Sequence, residues 1–418
     1  MDPSSGDGSP DGPATTAVIE LGAGVVRRAA RLADGRELFY YDDADTTLGP
    51  ERAVDARTLD PRPETATMRY DVLTGDWISV AAARQNRAFL PPKELDPLAP
   101  QAPGNPSEVP AWYDVAVFEN RSPSFGPALP GPEAPPFDPD PSGFGHARPS
   151  YGRCEVVCFS PEHEGSFGTL TPSRARTVIE AWADRTRALS ALPGVAQVFP
   201  FENRGKEIGV TLPHPHGQIY AYPTVTPRTR RLLDRISAHG PDLFADLLES
   251  EREGGRIVIA GTHWTAFVPF AARWPVEVHL LPHRHVHDLA GLSEAEKDEL
   301  APLYLRLLRG VDALYGYPGG PASGPAGSAE APATRPTPYI AAWHQAPVAG
   351  APGAHGRDAI RLRLELTSPR RAVDRLKYLA GSEAAMGAWI ADIPPETAAA
   401  TLRDAIARVG DDPVKDTA

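Results

Sequence analysis

Two histidines two residues apart, with proline between them and glycine after, sit at the centre of residues 203–222, NRGKEIGVTLPHPHGQIYAY. On an extended strand alternate side chains share a face, which directs His214, His216 and Gln218 the same way. Pro215 fixes φ and donates no hydrogen bond, so it belongs at a strand end or edge, where a ligand can approach. Gly217 removes a side chain beside the second histidine and is expected to leave room for a phosphate. This pattern suits nucleophilic attack on phosphorus. A neutral imidazole is a good nucleophile when its other nitrogen is held as N–H by an acceptor. If the leaving group is a sugar phosphate, it departs as a stable anion, and catalysis reduces to positioning and charge neutralisation. Gln218 offers an amide N–H for that purpose. The loop 203–211 offers backbone N–H groups with the side chains of Asn203, Lys206 and Thr211 to phosphate or ribose. His216 is therefore the expected nucleophile, and His214 is a metal ligand, an orienter of His216, or structural.

The elements around this segment read as strands and helices in alternation. Residues 1–36 are expected to be a disordered extension, since the first fifteen are almost wholly Pro, Gly, Ser and Asp. RYDVLTGDWISV (69–80) predicts two short strands around a Thr-Gly turn, and CEVVCFS (154–160) an apolar strand. Residues 91–110 and 127–150, rich in Pro and Gly, read as long surface loops. Apolar spacing after a Thr-Pro start predicts a helix over 172–192, followed by the strands VAQVFPFEN and HGQIYAY, and Pro227 opens a helical run to about 250. The same grammar then recurs. GRIVIAG and WTAFVPF form a strand pair, VEVHLLP a further strand, and 293–315 a helix begun by Ser293 and Glu296 as a capping box. A Gly/Pro/Ala-rich loop (317–338) leads to the strands TPYIAAWHQAP and AIRLRLELTS. The repetition implies an α+β protein of two tandem domains, 37–226 and 227–410, each an antiparallel sheet with helices packed on it.

Composition narrows the partners. A net charge of −12 with no Lys/Arg-dominated stretch argues against nucleic acid. No apolar run reaches the roughly 20 residues of a membrane span. Cys154 and Cys158 are the only cysteines, which excludes a disulfide framework. With no secretion signal at the N-terminus, a cytoplasmic location is expected.

With these residues in view, the chain resembles the transferase branch of the histidine-triad superfamily, the galactose-1-phosphate uridylyltransferase family. Hydrolases of that superfamily carry a third histidine where Gln218 stands. An amide cannot protonate a poor leaving group but can steady a phosphate in transit. The resemblance extends from Tyr70 and Trp77 through Asn120, the CFSPxH stretch ending at His163, and Trp343-His344, to the segment 375–383. It implies two tandem histidine-triad-like domains and a ping-pong exchange through a uridylyl-histidine. His216 would take the uridylyl group from UDP-glucose and pass it to galactose 1-phosphate. It implies that Arg84, Arg87, Asn120, Asn203, Gly209, Val210, Thr211 and Gln218 serve the nucleotide. It further implies a homodimer in which Arg87, Lys377, Tyr378, Ala380, Ser382 and Glu383 reach the partner's site.

The chain departs from the family at its metals. Many members hold zinc through a Cys-x-x-Cys pair and two histidines that match His163 and His214. Ala99 and Ala102 occupy the cysteine positions here, and alanine has no lone pair, so zinc is expected to be weak or absent. At a second family metal site only His344 is retained, and Arg363 and Glu365 replace histidines. The run His279, His283, His285, His287 is interrupted by Pro282 and need not converge on a metal. No cofactor is required by the chemistry itself. Two other functions share the motif: a nucleoside diphosphate-sugar or dinucleotide phosphorylase with inorganic phosphate as acceptor, and an inactive nucleotide-binding regulator.

Overall fold

In the computed structural model residues 17–84, 90–131, 144–315 and 336–410 are described, Arg84 only in its backbone. The first half of the chain forms β1 (Val18–Glu20), β2 (Val26–Arg31), β3 (Glu37–Asp42), β4 (Thr67–Asp71), β5 (Asp76–Val80), β6 (Val115–Glu119), β7 (Ala147–Pro149), β8 (Arg153–Cys158), α1 (Pro172–Ser190), β9 (Gln197–Arg204) and β10 (His216–Tyr222). The second forms α2 (Pro227–His239), α3 (Leu243–Glu253), β11 (Ile257–Ala260), β12 (Trp264–Phe267), β13 (Val276–Pro282), α4 (Glu294–Ala313), β14 (Tyr339–His344), β15 (Arg363–Ser368), the hairpin β16 (Arg370–Ala372) and β17 (Arg375–Leu376), and α5 (Pro395–Val409).

Twelve strands make one antiparallel sheet in the order β1-β2-β3-β6-β8-β10-β9-β14-β15-β13-β12-β11. The repeated grammar of the sequence is visible in that order. β9 and β14 meet at the centre, and outward from them run β10, β8, β6 on one side and β15, β13, β12 on the other. The two tandem units thus share a continuous sheet. Helices α1 and α4 cover one face, where the fully buried rings of Trp182, Trp264, Trp343, Phe167 and Tyr304 fill the main core. Stacking of Phe167 on Trp182 (5.3 Å) and contact of Trp182 with Trp343 (6.1 Å) tie the first half to the second. The opposite face is where β10 presents His216 and Gln218.

Local sequence explains the helix ends. The Thr171 hydroxyl accepts from the Arg174 N–H ahead of Pro172, and Ser293 and Glu296 form the reciprocal capping box. The helical run from Pro227 divides, because Gly240 adopts φ +118 and Pro241 follows it.

Two expectations need correction. The extension to residue 36 is not disordered throughout: Val18–Glu20 and Val26–Arg31 extend the sheet, while residues 1–16 lie outside the described residues. Arginines obscured the strand signal, since Arg27 pairs with Asp184 (2.9 Å) and Arg28 with Asp42 (2.6 Å), so polar positions are inward-tied. The Pro-rich loop 91–110 is a surface loop only in part. Its Leu98 and Val109 are buried, and Glu108 N–H donates to the Pro97 carbonyl and Gln101 N–H to the Val109 carbonyl, both at 2.8 Å. Helix α5, packed on α4, was not anticipated. The loop 317–338 falls mostly outside the described residues, as do 132–143 of the loop 127–150.

Candidate active site

Strand β10 lies between β8 and β9, with Gln218 opposite Val156 and Phe201. Its alternation brings His216, Gln218 and Tyr220 to one wall of a cavity of about 540 Å³, a size that suits a nucleotide-sugar ligand. Asn203 from β9, the turn residues Gly209, Val210 and Thr211, and Asn120 after β6 line the same cavity. Seven of these eight were singled out from the sequence, and Tyr220 was not.

His216 Nδ1 lies 2.7 Å from the carbonyl oxygen of His214. A carbonyl only accepts, so Nδ1 carries the proton and the lone pair belongs to Nε2. That is the tautomer a nucleophile needs. His214 does not share the face of His216 and Gln218, contrary to expectation. Pro215 leaves the ladder to begin at His216, so strand alternation does not extend back to His214, which is 2% exposed. Its ring instead meets a carboxylate that sequence reasoning missed. His214 Nδ1 lies 2.7 Å and His163 Nδ1 2.8 Å from the same oxygen, Oδ2 of Asp96. His214 Nε2 lies 2.8 Å from the Ser160 carbonyl oxygen and 3.0 Å from the Tyr113 hydroxyl. The Asp96 carboxylate can only accept, so His214 Nδ1 carries a proton. The Tyr113 O–H then donates to the Leu98 carbonyl at 2.7 Å. Burial tends to raise the Asp96 carboxyl, but the hydrogen bonds and charge of His214 and the Leu98 and His163 N–H groups overcome it and hold it at about 2. Burial pushes the neighbouring Cys158 thiol and the Tyr113 hydroxyl up, so both are protonated at neutral pH.

Other expected contributions fall out differently. Gly217 does not open space for a phosphate. A Cβ there would lie 2.8 Å from Phe159 Cζ and 2.9 Å from the Phe201 carbonyl oxygen, on the helix-covered face, so the glycine serves packing. The N–H groups of Ile208, Gly209 and Val210 are bonded within their own turn at 3.0–3.3 Å, and the loop contributes its surface and Thr211 to the cavity instead. Lys206 does not line it. Lys377 and Tyr378 line a separate 180 Å³ cavity with Glu207 and Ile208. There the Lys377 ammonium donates to the Arg273 carbonyl (3.1 Å) and to that of Ile390, and lies 3.8 Å from Glu383. Ser382 donates to the Ala388 carbonyl, and Ala380 is exposed. Arg87 lies outside the described residues, and nothing is described of the Arg84 side chain. The cavity wall adds Arg36 and Arg121, which no spacing rule picked out. Arg36 is committed to Asp34 and Glu108, whereas Arg121 donates to the Asp60 carbonyl at the exposed rim.

Structural zinc would need lone pairs from His163 and His214 together with two further ligand atoms. Both Nδ1 atoms point at a carboxylate at hydrogen-bond distance, His214 Nε2 points at a carbonyl, and Ala99 and Ala102 carry no ligand atom. These residues do not fit the ion. In the second half, the Arg363 guanidinium donates to Glu365 at 2.9 Å and Arg228 also pairs with it. The His344 and His279 Nε2 atoms stand off at 3.7 and 3.9 Å. Two guanidinium groups occupy the carboxylate that a cation would require. His283 meets the Thr265 hydroxyl and His287 the Ile360 carbonyl, so the histidine run is dispersed. Among the described residues no group of three or more His, Cys, Asp or Glu is arranged to hold a metal ion, and no helix is long and apolar enough to cross a membrane.

Comparison with known proteins agrees with this geometry. Residues 57–226 match the model of the galactose-1-phosphate uridyl transferase N-terminal domain, and residues 230–410 that of the C-terminal domain. The chain is 45% identical to a galactose-1-phosphate uridylyltransferase of Streptomyces lividans, covering 90% of this chain and 97% of that protein. It is 34% identical to the one of Thermotoga maritima, covering 81% and 98%. A solved uridylyltransferase structure superposes with a TM-score of 0.65 at 30% identity, over 82% of this chain and 99% of the other. The chain belongs to the galactose-1-phosphate uridylyltransferase family.

Proposed function

We propose that the protein is a UDP-glucose–hexose-1-phosphate uridylyltransferase of galactose metabolism, working in the cytoplasm through a covalent uridylyl-His216. The observation that carries this reading is the 2.7 Å hydrogen bond from His216 Nδ1 to the His214 carbonyl, which leaves the lone pair on Nε2 of a ring that lines a cavity with Gln218, Asn203 and Thr211. In the first step Nε2 forms a bond to the α-phosphorus of UDP-glucose as the bond to the β-phosphate oxygen breaks, and glucose 1-phosphate leaves as an anion. The imidazole takes up positive charge, which the His214 carbonyl favours through the retained Nδ1 proton. In the second step a phosphate oxygen of galactose 1-phosphate forms a bond to the same phosphorus and the P–N bond breaks, restoring the neutral ring. Gln218 donates to a non-bridging oxygen in both steps. No step calls on a metal.

A homodimer belongs to the same proposal, with Lys377, Tyr378, Ala380, Ser382, Glu383 and Arg87 serving the partner's cavity. Supporting it, the segment that bears these residues exposes Tyr378, Leu379, Met386 and Ile390, an apolar surface that a second copy would cover.

The test is to incubate the protein with UDP-glucose and weigh it intact. A UMP-sized adduct is expected, absent from His216→Gly, which also loses about 10⁴-fold or more of turnover. Galactose 1-phosphate should discharge the adduct. Discharge by inorganic phosphate alone would make the protein a phosphorylase, and no adduct at all would leave a nucleotide-binding regulator.

A further inference from the structure

Behind the nucleophile, a hydrogen-bond chain runs from a loop to the reacting ring. Asp96 is 1% exposed. One of its oxygens holds His214 and His163 together, the other accepts from the Leu98 N–H at 2.9 Å, and its carbonyl accepts from the buried Asn105 amide at 2.8 Å. The loop that bears it is pinned in turn, since Leu98 also accepts from Tyr113 and Ala99 from the Ser107 hydroxyl. His214 is thus gripped on both ring nitrogens, and its own carbonyl receives the Nδ1 proton of His216. Moving the His214 ring would move that carbonyl, and with it the aim and tautomer of the nucleophile.

We infer that Asp96 is a positioning residue: its carboxylate, clamped between His163 and His214, holds the His214 carbonyl where it orients His216. The clamp works by the same logic as a metal tie, joining two histidines and a loop at one point, but with the charge reversed. It needs protonated Nδ1 atoms where zinc needs lone pairs. This inference rests on the covalent uridylyl-His216 reading above.

The experiment compares the wild type with Asp96→Ala and Asp96→Asn. Three quantities are measured: the single-turnover rate of UMP-adduct formation from UDP-glucose, UDP-glucose affinity by calorimetry, and the His216 tautomer by nitrogen NMR of histidine-labelled protein, its signal assigned by loss in His216→Gly. Misplacing a reacting atom by about an ångström costs roughly 100-fold. Asp96→Ala is therefore expected to slow adduct formation by about that factor while affinity changes less than about 3-fold. His216 should leave the single Nδ1–H form. Added formate, which can refill the vacated carboxylate position, should restore part of the rate. A purely structural role would lower stability without the tautomer change or the split between rate and affinity. If Asp96→Ala does not fold, Asp96→Asn, which keeps the shape but not the charge, is expected to lose about 10-fold. A folded variant with wild-type rate and tautomer would overturn the inference, as would one zinc per chain in the purified wild type whose removal abolishes the rate. Absence of any adduct in the wild type would instead sink the covalent reading, and the tautomer comparison would still decide the role of Asp96.

Discussion

On β10, His216, Gln218 and Tyr220 face an open cavity, whereas on β15, the strand at the matching place across the centre of the sheet, Arg363 and Glu365 face each other inside a closed ring of charge. Both strands are flanked by equivalent neighbours, β8 and β9 in one half and β13 and β14 in the other. Both present alternate residues away from the helices. What differs is whether the cavity-lining position carries a nitrogen lone pair at all. An imidazole protonated on one nitrogen has a lone pair on the other, while a guanidinium has none to offer. In the second half the Glu365 carboxyl, despite a burial that alone would raise it, is held well below its usual range by its charged neighbours, Arg363 and Arg228 among them. His344, buried beside cations, is driven well below the ordinary histidine range and stays neutral. The first half brings its polar residues to a cavity wall, and the second pairs them off inside the fold.

That contrast predicts opposite phenotypes for carboxamide chemistry in the two halves. Gln218→Ala removes a donor to the transferring phosphate and should lower the rate of adduct formation by about 10²- to 10³-fold, with melting temperature nearly unchanged. Glu365→Gln leaves Arg363 and Arg228 without their counter-charge in a position only 4% exposed. It should cost roughly 3 kcal/mol in stability, read by denaturant titration, while single-turnover kinetics of the folded fraction stay within a few-fold. If Glu365→Gln slowed chemistry as much as Gln218→Ala, the division of labour between the halves would be wrong.

The strand and helix grammar was readable because apolar periodicity dominates the core elements. The α1 and α4 starts, β9, β10 and β15 fall close to where spacing puts them. The place of His216 in the cavity wall was readable because proline and glycine bracket it so unusually. Asp96 was not, since a carboxylate in a Pro-rich stretch carries no periodic signal. Its role arises only when the loop folds back onto His163, 67 residues away in sequence, and His214, 118 away. Gly217 was misread for a related reason. The motif told which residues are adjacent, but the face of the strand decides what each touches, and Phe159 and Phe201 come from two other strands. The contacts of Lys377 were equally out of reach, because backbone carbonyls of Arg273 and Ile390 have no sequence signature.

The seam between the halves offers a sharper comparison through pH. Glu202 on β9 lies opposite Ala341 of β14 and accepts the Tyr339 hydroxyl at 2.9 Å. Burial outweighs the nearby Arg204 and raises its carboxyl to about 7. The folded state therefore keeps this proton between pH 4.5 and about 7, where the unfolded chain has released it. Stability from this group is present below the unfolded pKa and falls as pH rises, with nothing more to lose above about 7. Glu202→Gln should remove that slope, so the stability of the variant relative to wild type improves by about 3 kcal/mol between pH 4.5 and 7.5. Thermal unfolding of both across that range measures it. Parallel pH profiles would mean that the seam is solvated and the halves move apart more readily than the packing implies.

The smallest effect probes how tightly the nucleophile strand is held on its hidden face. In the second half β15 buries Leu364 and Leu366 against the helices, whereas β10 has Gly217 at its first inward position. Alanine there meets Phe159 Cζ at 2.8 Å and the Phe201 carbonyl at 2.9 Å, and the carbonyl belongs to the sheet ladder and cannot swing aside. Gly217→Ala should cost about 1–3 kcal/mol from overpacking. Because the strain is relieved most easily at the strand's first residue, it should also displace His216 and slow adduct formation more than it weakens UDP-glucose binding. A variant that lost stability but kept its full rate would mean the clamp on His214 alone fixes the nucleophile, independent of the strand it stands on.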